Sequence, residues 1–303
     1  MQRLPLRPEV RSWASAQLNG FSQIFLQRHP GCGALILLAI AIGAPDLLGG
    51  ALLGGAVGWL TAVRRRYARE DIEAGLYGYN GVLLGLLLSA RFELSLYLAL
   101  LIICASGLSS LLLNSLLKAV RQRNWLPAYT SPFVALGWLL LALGGPLELL
   151  PSSVPTAAPL QPGWIDTPLA VVRGIGQVIF LDQPLAGACV LAALFLAGWR
   201  MALWALLGSA TALALASLLG MPMQTVLGGL FSLNGALIAL ALGKDFRRPW
   251  CVLAGILLGV VLQPGFALIG LPAMTAPFIL ACWLVLAAKR LTGLTQPAAS
   301  RSL

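Results

Sequence analysis

Apolar runs close to membrane-spanning length recur along almost the whole chain, separated by short clusters of arginine, glycine and proline. Ten such runs are legible: 24–44, 46–63, 75–90, 94–117 and 126–143, then 175–199, 201–219, 224–243, 250–268 and 271–288. A helix crossing a bilayer needs about 20 apolar residues. Several runs fall short of that, which predicts tilted, broken or re-entrant segments. Non-helical backbone at membrane depth is tolerated only where protein or a wet cavity covers it. Ahead of the first run, Val10, Trp13 and Leu18 share one helical face. That pattern suits a short interfacial helix, and a loosely ordered terminus fits it equally.

The runs belong to two halves that repeat each other. Gln23-Ile24 matches Gln177-Val178, Pro30 matches Pro184, Gly33-Ala34 matches Gly187-Ala188, and Asn80-Gly81 matches Asn234-Gly235, all 154 residues apart. Leu126-Pro127-Ala128-Tyr129-Thr130-Ser131-Pro132-Phe133 matches Leu271-Pro272-Ala273-Met274-Thr275-Ala276-Pro277-Phe278 at an offset of 145, so the second half has lost nine residues between its Asn-Gly and its Leu-Pro. Five spans per half is an odd number, which predicts halves of opposite orientation in the membrane, with a substrate site at their interface. The expected organisation is therefore an N-terminal cytoplasmic or interfacial segment (1–19), a first transmembrane repeat (20–143), a proline-rich extracytoplasmic linker (144–167), a second repeat (168–290) and a cytoplasmic tail (291–303). The linker holds prolines 146, 151, 155, 159 and 162, which stiffen and extend it.

Composition agrees with this reading. The chain is 59% hydrophobic and 10% charged, with a mean hydropathy of +0.87. A soluble domain carries about 25% charged residues. The net charge of +10 does not indicate nucleic-acid binding, because the basic residues flank apolar runs. With the N-terminus in the cytoplasm, eighteen lysines and arginines fall inside and only Arg91 and Arg173 outside. The positive-inside rule then places both termini in the cytoplasm of a multi-pass protein of the cell membrane, of the bacterial inner-membrane type. The five cysteines lie in or beside apolar runs with no CxxC pair, and read as small hydrophobes rather than metal ligands or disulfides. Trp59, Trp125, Trp138, Trp199, Trp204 and Trp250 read as interface or packing residues.

The octapeptides carry the most chemistry. Two prolines each withhold an N–H and disfavour helix before them, so each copy predicts extended backbone leading into a helix. Carbonyls freed by the break need donors, which a passing solute could supply. Thr130 and Thr275 add hydroxyls at equivalent places. A proline kink with a self-bonded threonine would explain one copy; two matched copies favour a function. Gln23 and Gln177 present uncharged amides at the mouths of apolar segments. Asn80 and Asn234 sit beside glycines, where an amide braces helices at close approach. Tyr79, Phe180 and Phe231 are candidate pore aromatics, with core packing as the alternative. No Asp, Glu, Lys or Arg lies in the middle of a predicted span: Asp46, Glu93, Asp182 and Asp245 sit at span ends, and the only histidine is His29, at another. Ion-coupled pumps usually bury such groups. No nucleotide loop, metal cluster or catalytic triad is visible, so neither an enzyme nor a cofactor is expected. A polar but uncharged path suits a small neutral solute. Urea, with four N–H donors and one carbonyl, fits such a lining.

On these residues the chain resembles the urea transporter family. That family's doubled Leu-Pro-x-x-Thr-x-Pro-Phe motif is matched at every fixed position. Gly78-Tyr79-Asn80-Gly81 and Arg173-Gly174-Ile175-Gly176-Gln177-Val178-Ile179-Phe180 are similar to two further family segments. The resemblance implies an all-α membrane protein of about ten helices in two inverted five-helix repeats, with broken or re-entrant helices around a central pore. It also implies a homotrimer in the lipid bilayer with one urea pore per protomer. It carries the constriction role to Thr130 and Thr275, the pore-mouth amides to Gln23 and Gln177, and an aromatic slot to Phe180. The first half departs with Leu26 at the slot position, Phe25 being adjacent; the second departs with Leu233 where the first has Tyr79, Phe231 being the nearby aromatic. The expected function is passive urea conduction, possible close analogues included. The alternatives are an ion- or proton-coupled carrier for another small polar solute, an ammonia channel, and an assembly protein without a pore.

Overall fold

The computed structural model describes residues 7–152, 166–244 and 249–291, with side chains described from Trp13 onward. Most of the proline-rich linker, Asp245, Arg247, Arg248 and nearly all of the C-terminal tail lie outside the described residues. So do residues 1–6, which include Arg3, and the side chains of Arg7, Val10 and Arg11.

The described residues are helical, in fourteen helices that recur as two sets of seven. The first set is α1 (Arg7–Gln23), α2 (Pro30–Gly43), α3 (Pro45–Arg64), α4 (Arg69–Glu73), α5 (Tyr79–Arg91), α6 (Leu96–Arg123) and α7 (Ser131–Leu143). The second is α8 (Asp166–Gln177), α9 (Pro184–Ala197), α10 (Trp199–Leu218), α11 (Met223–Leu227), α12 (Leu230–Gly243), α13 (Pro249–Leu268) and α14 (Ala276–Leu291). α2, α3 and α4 reappear as α9, α10 and α11 at the 154-residue offset. The shortening falls mainly in one helix, since α13 has 20 residues where α6 has 28.

Among the described residues four helices are long and apolar enough to cross a membrane, namely α3, α6, α10 and α13; they form two counterpart pairs. Shorter apolar helices include α2, α7, α9 and α12. The runs at 24–44 and 175–199 are therefore not continuous spans. Each starts in a turn after α1 or α8, and its helix begins only at Pro30 or Pro184, where proline at the first turn has no N–H to waste. The run at 224–243 is likewise split at Gly229, whose φ is +81°. The runs at 126–143 and 271–288 become helical only at Ser131 and Ala276. Helix α1 begins at Arg7 and ends at Gln23, so it runs through the boundary read at residue 19.

Glycines let counterpart helix pairs approach closely. A Cβ on Gly54 of α3 would lie 2.0 Å from the Gly81 carbonyl oxygen of α5; one on Gly208 of α10 would lie 2.4 Å from the Gly235 oxygen of α12. Such contacts bring polar backbone groups into reach where the surroundings are apolar. The outer surface is rich in exposed leucine, including Leu96, Leu185 and Leu253, as a lipid-facing surface would be. The halves meet through counterparts: α2 packs on α9, and α7 packs on α14.

Candidate functional site

The two octapeptides, 145 residues apart, converge. Thr130 Oγ1 and Thr275 Oγ1 are 2.8 Å apart in a direct hydrogen bond. Both residues are almost fully buried, at 3% and 4% exposure. Each threonine immediately precedes its helix, α7 or α14, so the hydroxyls meet where two helix N-termini face each other. Helix N-termini leave N–H groups without intrahelical partners. Asparagines take one at each end: Asn80 Oδ1 accepts from Phe133 N–H at 3.2 Å, and Asn234 Oδ1 accepts from Phe278 N–H at 3.1 Å. This is the bracing role read for them from the sequence.

The carbonyls around the breaks have protein donors. Pro127 O accepts from Trp283 Nε1–H and Pro272 O from Trp138 Nε1–H, both at 2.8 Å. Tyr129 O accepts from the Tyr79 hydroxyl. Met274 O accepts from Asn234 Nδ2–H at 3.1 Å, and the same amide donates to Gln263 Oε1 at 3.1 Å. Tyr129 and Met274 both hold φ +44°, a left-handed conformation uncommon in residues other than glycine.

A second matched pair of left-handed residues lies in the turns after α1 and α8. Leu26 has φ +59° and its counterpart Phe180 has φ +62°. The turns close alike: Leu26 N–H donates to Gln23 O at 2.9 Å, and Phe180 N–H to Gln177 O at 3.1 Å. Non-glycine residues held in sparsely populated backbone regions cost about 1–3 kcal/mol each and cluster at functional sites. The Phe180 ring packs edge-on to Phe133 of the other half at 6.4 Å, and Tyr129 packs on Phe278 at 4.9 Å. The Leu26 carbonyl accepts from the Lys244 ammonium.

Gln23 and Gln177 sit one at the end of α1 and one at the end of α8, each three residues before a left-handed turn residue. Gln23 Nε2–H donates to Ala74 O at 3.0 Å. Gln177 is half-buried and makes no side-chain hydrogen bond among the described residues. Phe25 is fully buried, as is its counterpart Ile179, so the side chain at Phe180's place in the first half is Leu26. Phe231 is buried in the core; the missing hydroxyl of Tyr79 at Leu233 is replaced at the Met274 carbonyl by Asn234.

Trp283 and Gln263 make site contacts that the sequence motifs do not single out, and Trp138 reads from sequence as an interface or packing residue. The signal was present: Trp138 and Trp283 stand at the octapeptide offset of 145. Arg173, counted on the extracytoplasmic side from the sequence, is buried on α8. Its Nε–H donates to Asp182 O and its Nη1–H to Leu227 O, both at 2.8 Å. Its counterpart Asn19 makes the equivalent contact, donating to Glu73 O at 2.9 Å.

The model of the family described as urea transporter matches residues 14–290. Urea transporter 1 from Capra hircus and from Ovis aries are each 30% identical over 299 residues, covering 92% of this chain and 78% of each relative. Urea transporter 1 from Mus musculus is 29% identical over the same coverage.

Proposed function

The chain belongs to the urea transporter family, and we propose that it conducts urea passively across the cell membrane through a path constricted at Thr130 and Thr275. The single observation that carries this reading is the 2.8 Å hydrogen bond between those two hydroxyls, contributed by the two halves at the meeting point of two broken segments. A hydroxyl donates once and accepts twice. Urea arriving between the threonines offers N–H donors to their oxygens and a carbonyl to a hydroxyl proton. It therefore exchanges one set of hydrogen bonds for another. Such exchanges differ by only about 0.5–1.5 kcal/mol per bond, which suits rapid passage. An ion at the same place meets no opposite charge and loses its hydration, a cost of several kcal/mol. The family is one of transporters, and no step here makes or breaks a covalent bond.

Around that constriction we assign the flanks as follows. Gln23 and Gln177 are mouth amides, and Gln177, free of a side-chain partner among the described residues, is the more available. Phe180 and Leu26 form unequal walls of a flat slot, with Phe25 supporting Leu26 from the core. Tyr79 and Phe231 act from behind, Tyr79 by fixing the Tyr129 carbonyl. The membrane arrangement that fits is ten segments in two five-segment halves of opposite orientation, both termini in the cytoplasm, and three protomers each with its own path. The packing of α2 on α9 and α7 on α14, each against its own counterpart, supports a two-fold relation between the halves.

The test is reconstitution of the purified chain in liposomes, followed by stopped-flow light scattering under a urea gradient. Volume recovery much faster than in empty liposomes, unchanged when ionophores abolish every ion gradient, is the expected result. Recovery that collapses with the ion gradient would replace the passive path with a coupled carrier.

A further inference from the structure

We propose that Trp138 and Trp283 are positioning residues that set the width, and hence the solute selectivity, of the constriction; the proposal rests on the urea-conducting reading above. Ser131 N–H donates to Ala128 O, and Ala276 N–H donates to Ala273 O, so neither reaches back the full helical turn to Pro127 O or Pro272 O. Those two carbonyls, on half-buried prolines, are left without an intrahelical partner, and a backbone group shielded from water needs one. The indoles of Trp283 and Trp138 fill them at 2.8 Å. In each case the donor belongs to the opposite half of the chain.

The geometry closes two linked loops. Trp138 lies on α7, eight residues after Thr130, and holds Pro272, three residues before Thr275. Trp283 lies on α14, eight residues after Thr275, and holds Pro127, three residues before Thr130. Each loop is completed by the hydrogen bond between the threonines. Each helix thus grips the strand that delivers the other half's threonine. Removing one indole N–H opens one of the two loops and frees that segment, and removing both leaves the threonines held together by their own contact without either clasp. A wider constriction admits a bulkier amide more readily, whatever the number of folded channels.

The experiment measures N-methylurea and urea permeability in proteoliposomes and reads their ratio. It uses Trp138→Phe, Trp283→Phe and the double variant, with Trp13→Phe as the control, an indole packed edge-on against Trp59 at 6.1 Å. The ratio is expected to rise about fivefold for either single clasp variant, the scale of one hydrogen bond, and to stay at the wild-type value for the control. Because phenylalanine also removes ring volume, 3-benzothienylalanine at position 138 or 283 provides a second variant. It keeps the bicyclic shape, replaces N–H with sulfur, and is expected to raise the ratio equally. A ratio unchanged in the benzothienyl variants, with normal urea flux through the wild type, overturns the proposal alone. Absence of wild-type urea flux removes the reading beneath it and the proposal together.

Discussion

In the first half the Tyr129 carbonyl is held by the hydroxyl of Tyr79, and the amide nitrogen of Asn80 is left buried without a partner. In the second half the equivalent Met274 carbonyl is held by the amide of Asn234, which also donates to Gln263, because Leu233 has no hydroxyl to offer. The acceptor, its left-handed backbone and the asparagine that caps the following helix are the same in both halves. Only the donor has changed. What a duplicated broken segment preserves is the satisfaction of its backbone groups, and the side chain that does so is exchangeable. The mouths differ in the same spirit. The turn fold is common to Leu26 and Phe180, but only one half presents an aromatic ring.

The comparison breaks most visibly at the asparagines. Asn234→Ala removes three hydrogen bonds and Asn80→Ala one. The first is expected to cost about 2 kcal/mol and the second about 1 kcal/mol, seen as unequal falls in Tm by thermal unfolding in detergent. Equal falls would mean that the extra bonds of Asn234 carry no weight.

The exchange of donors can be sharpened with a double-mutant cycle. Tyr79→Phe alone is expected to cost little, because the unpartnered Asn80 amide can take over the Tyr129 carbonyl as Asn234 does its counterpart. On an Asn80→Ala background that rescue is gone, and the coupling between the two changes should reach about 1 kcal/mol. Strict additivity would show that the two side chains do not compete for one acceptor.

A smaller difference lies at the ends of α4 and α6. Asp71 pairs with Arg121 at 2.7 Å, whereas the counterpart of Asp71 is Thr225 and no ion pair forms there among the described residues. The Arg121 side chain is 57% exposed and the Asp71 side chain 8%, so solvent screens the pair from the arginine side only. Asp71→Asn is expected to lower stability by about 0.5 kcal/mol, measured by the same unfolding assay, with urea flux unaltered. A loss of flux would tie this first-half contact to the path.

The duplication and the threonine pair were legible in the sequence because proline-broken motifs leave an identity pattern that survives divergence. The 154- and 145-residue offsets alone mark Thr130, Thr275, Gln23, Gln177 and the asparagines. The turn positions were not legible. Leu26 and Phe180 carry positive φ without being glycine, so nothing in their residue type announces a turn, and the apolar pattern runs continuously across both. The clasp is illegible for another reason: a tryptophan inside an apolar run has several ordinary roles, and only its register with the octapeptide distinguishes this one. Gln263 was hidden because the loss of nine residues blurs the counterpart of α13 on α6.

The measurement that bears most directly on the account is urea flux through Thr130→Val, Thr275→Val and the double variant in proteoliposomes. Each single change removes the hydroxyl contact between the halves, so the account predicts a drop of about tenfold for either, with the double variant far less impaired than the product of the two. Wild-type flux in the double variant would contradict it, since urea would then be passing without the threonine pair.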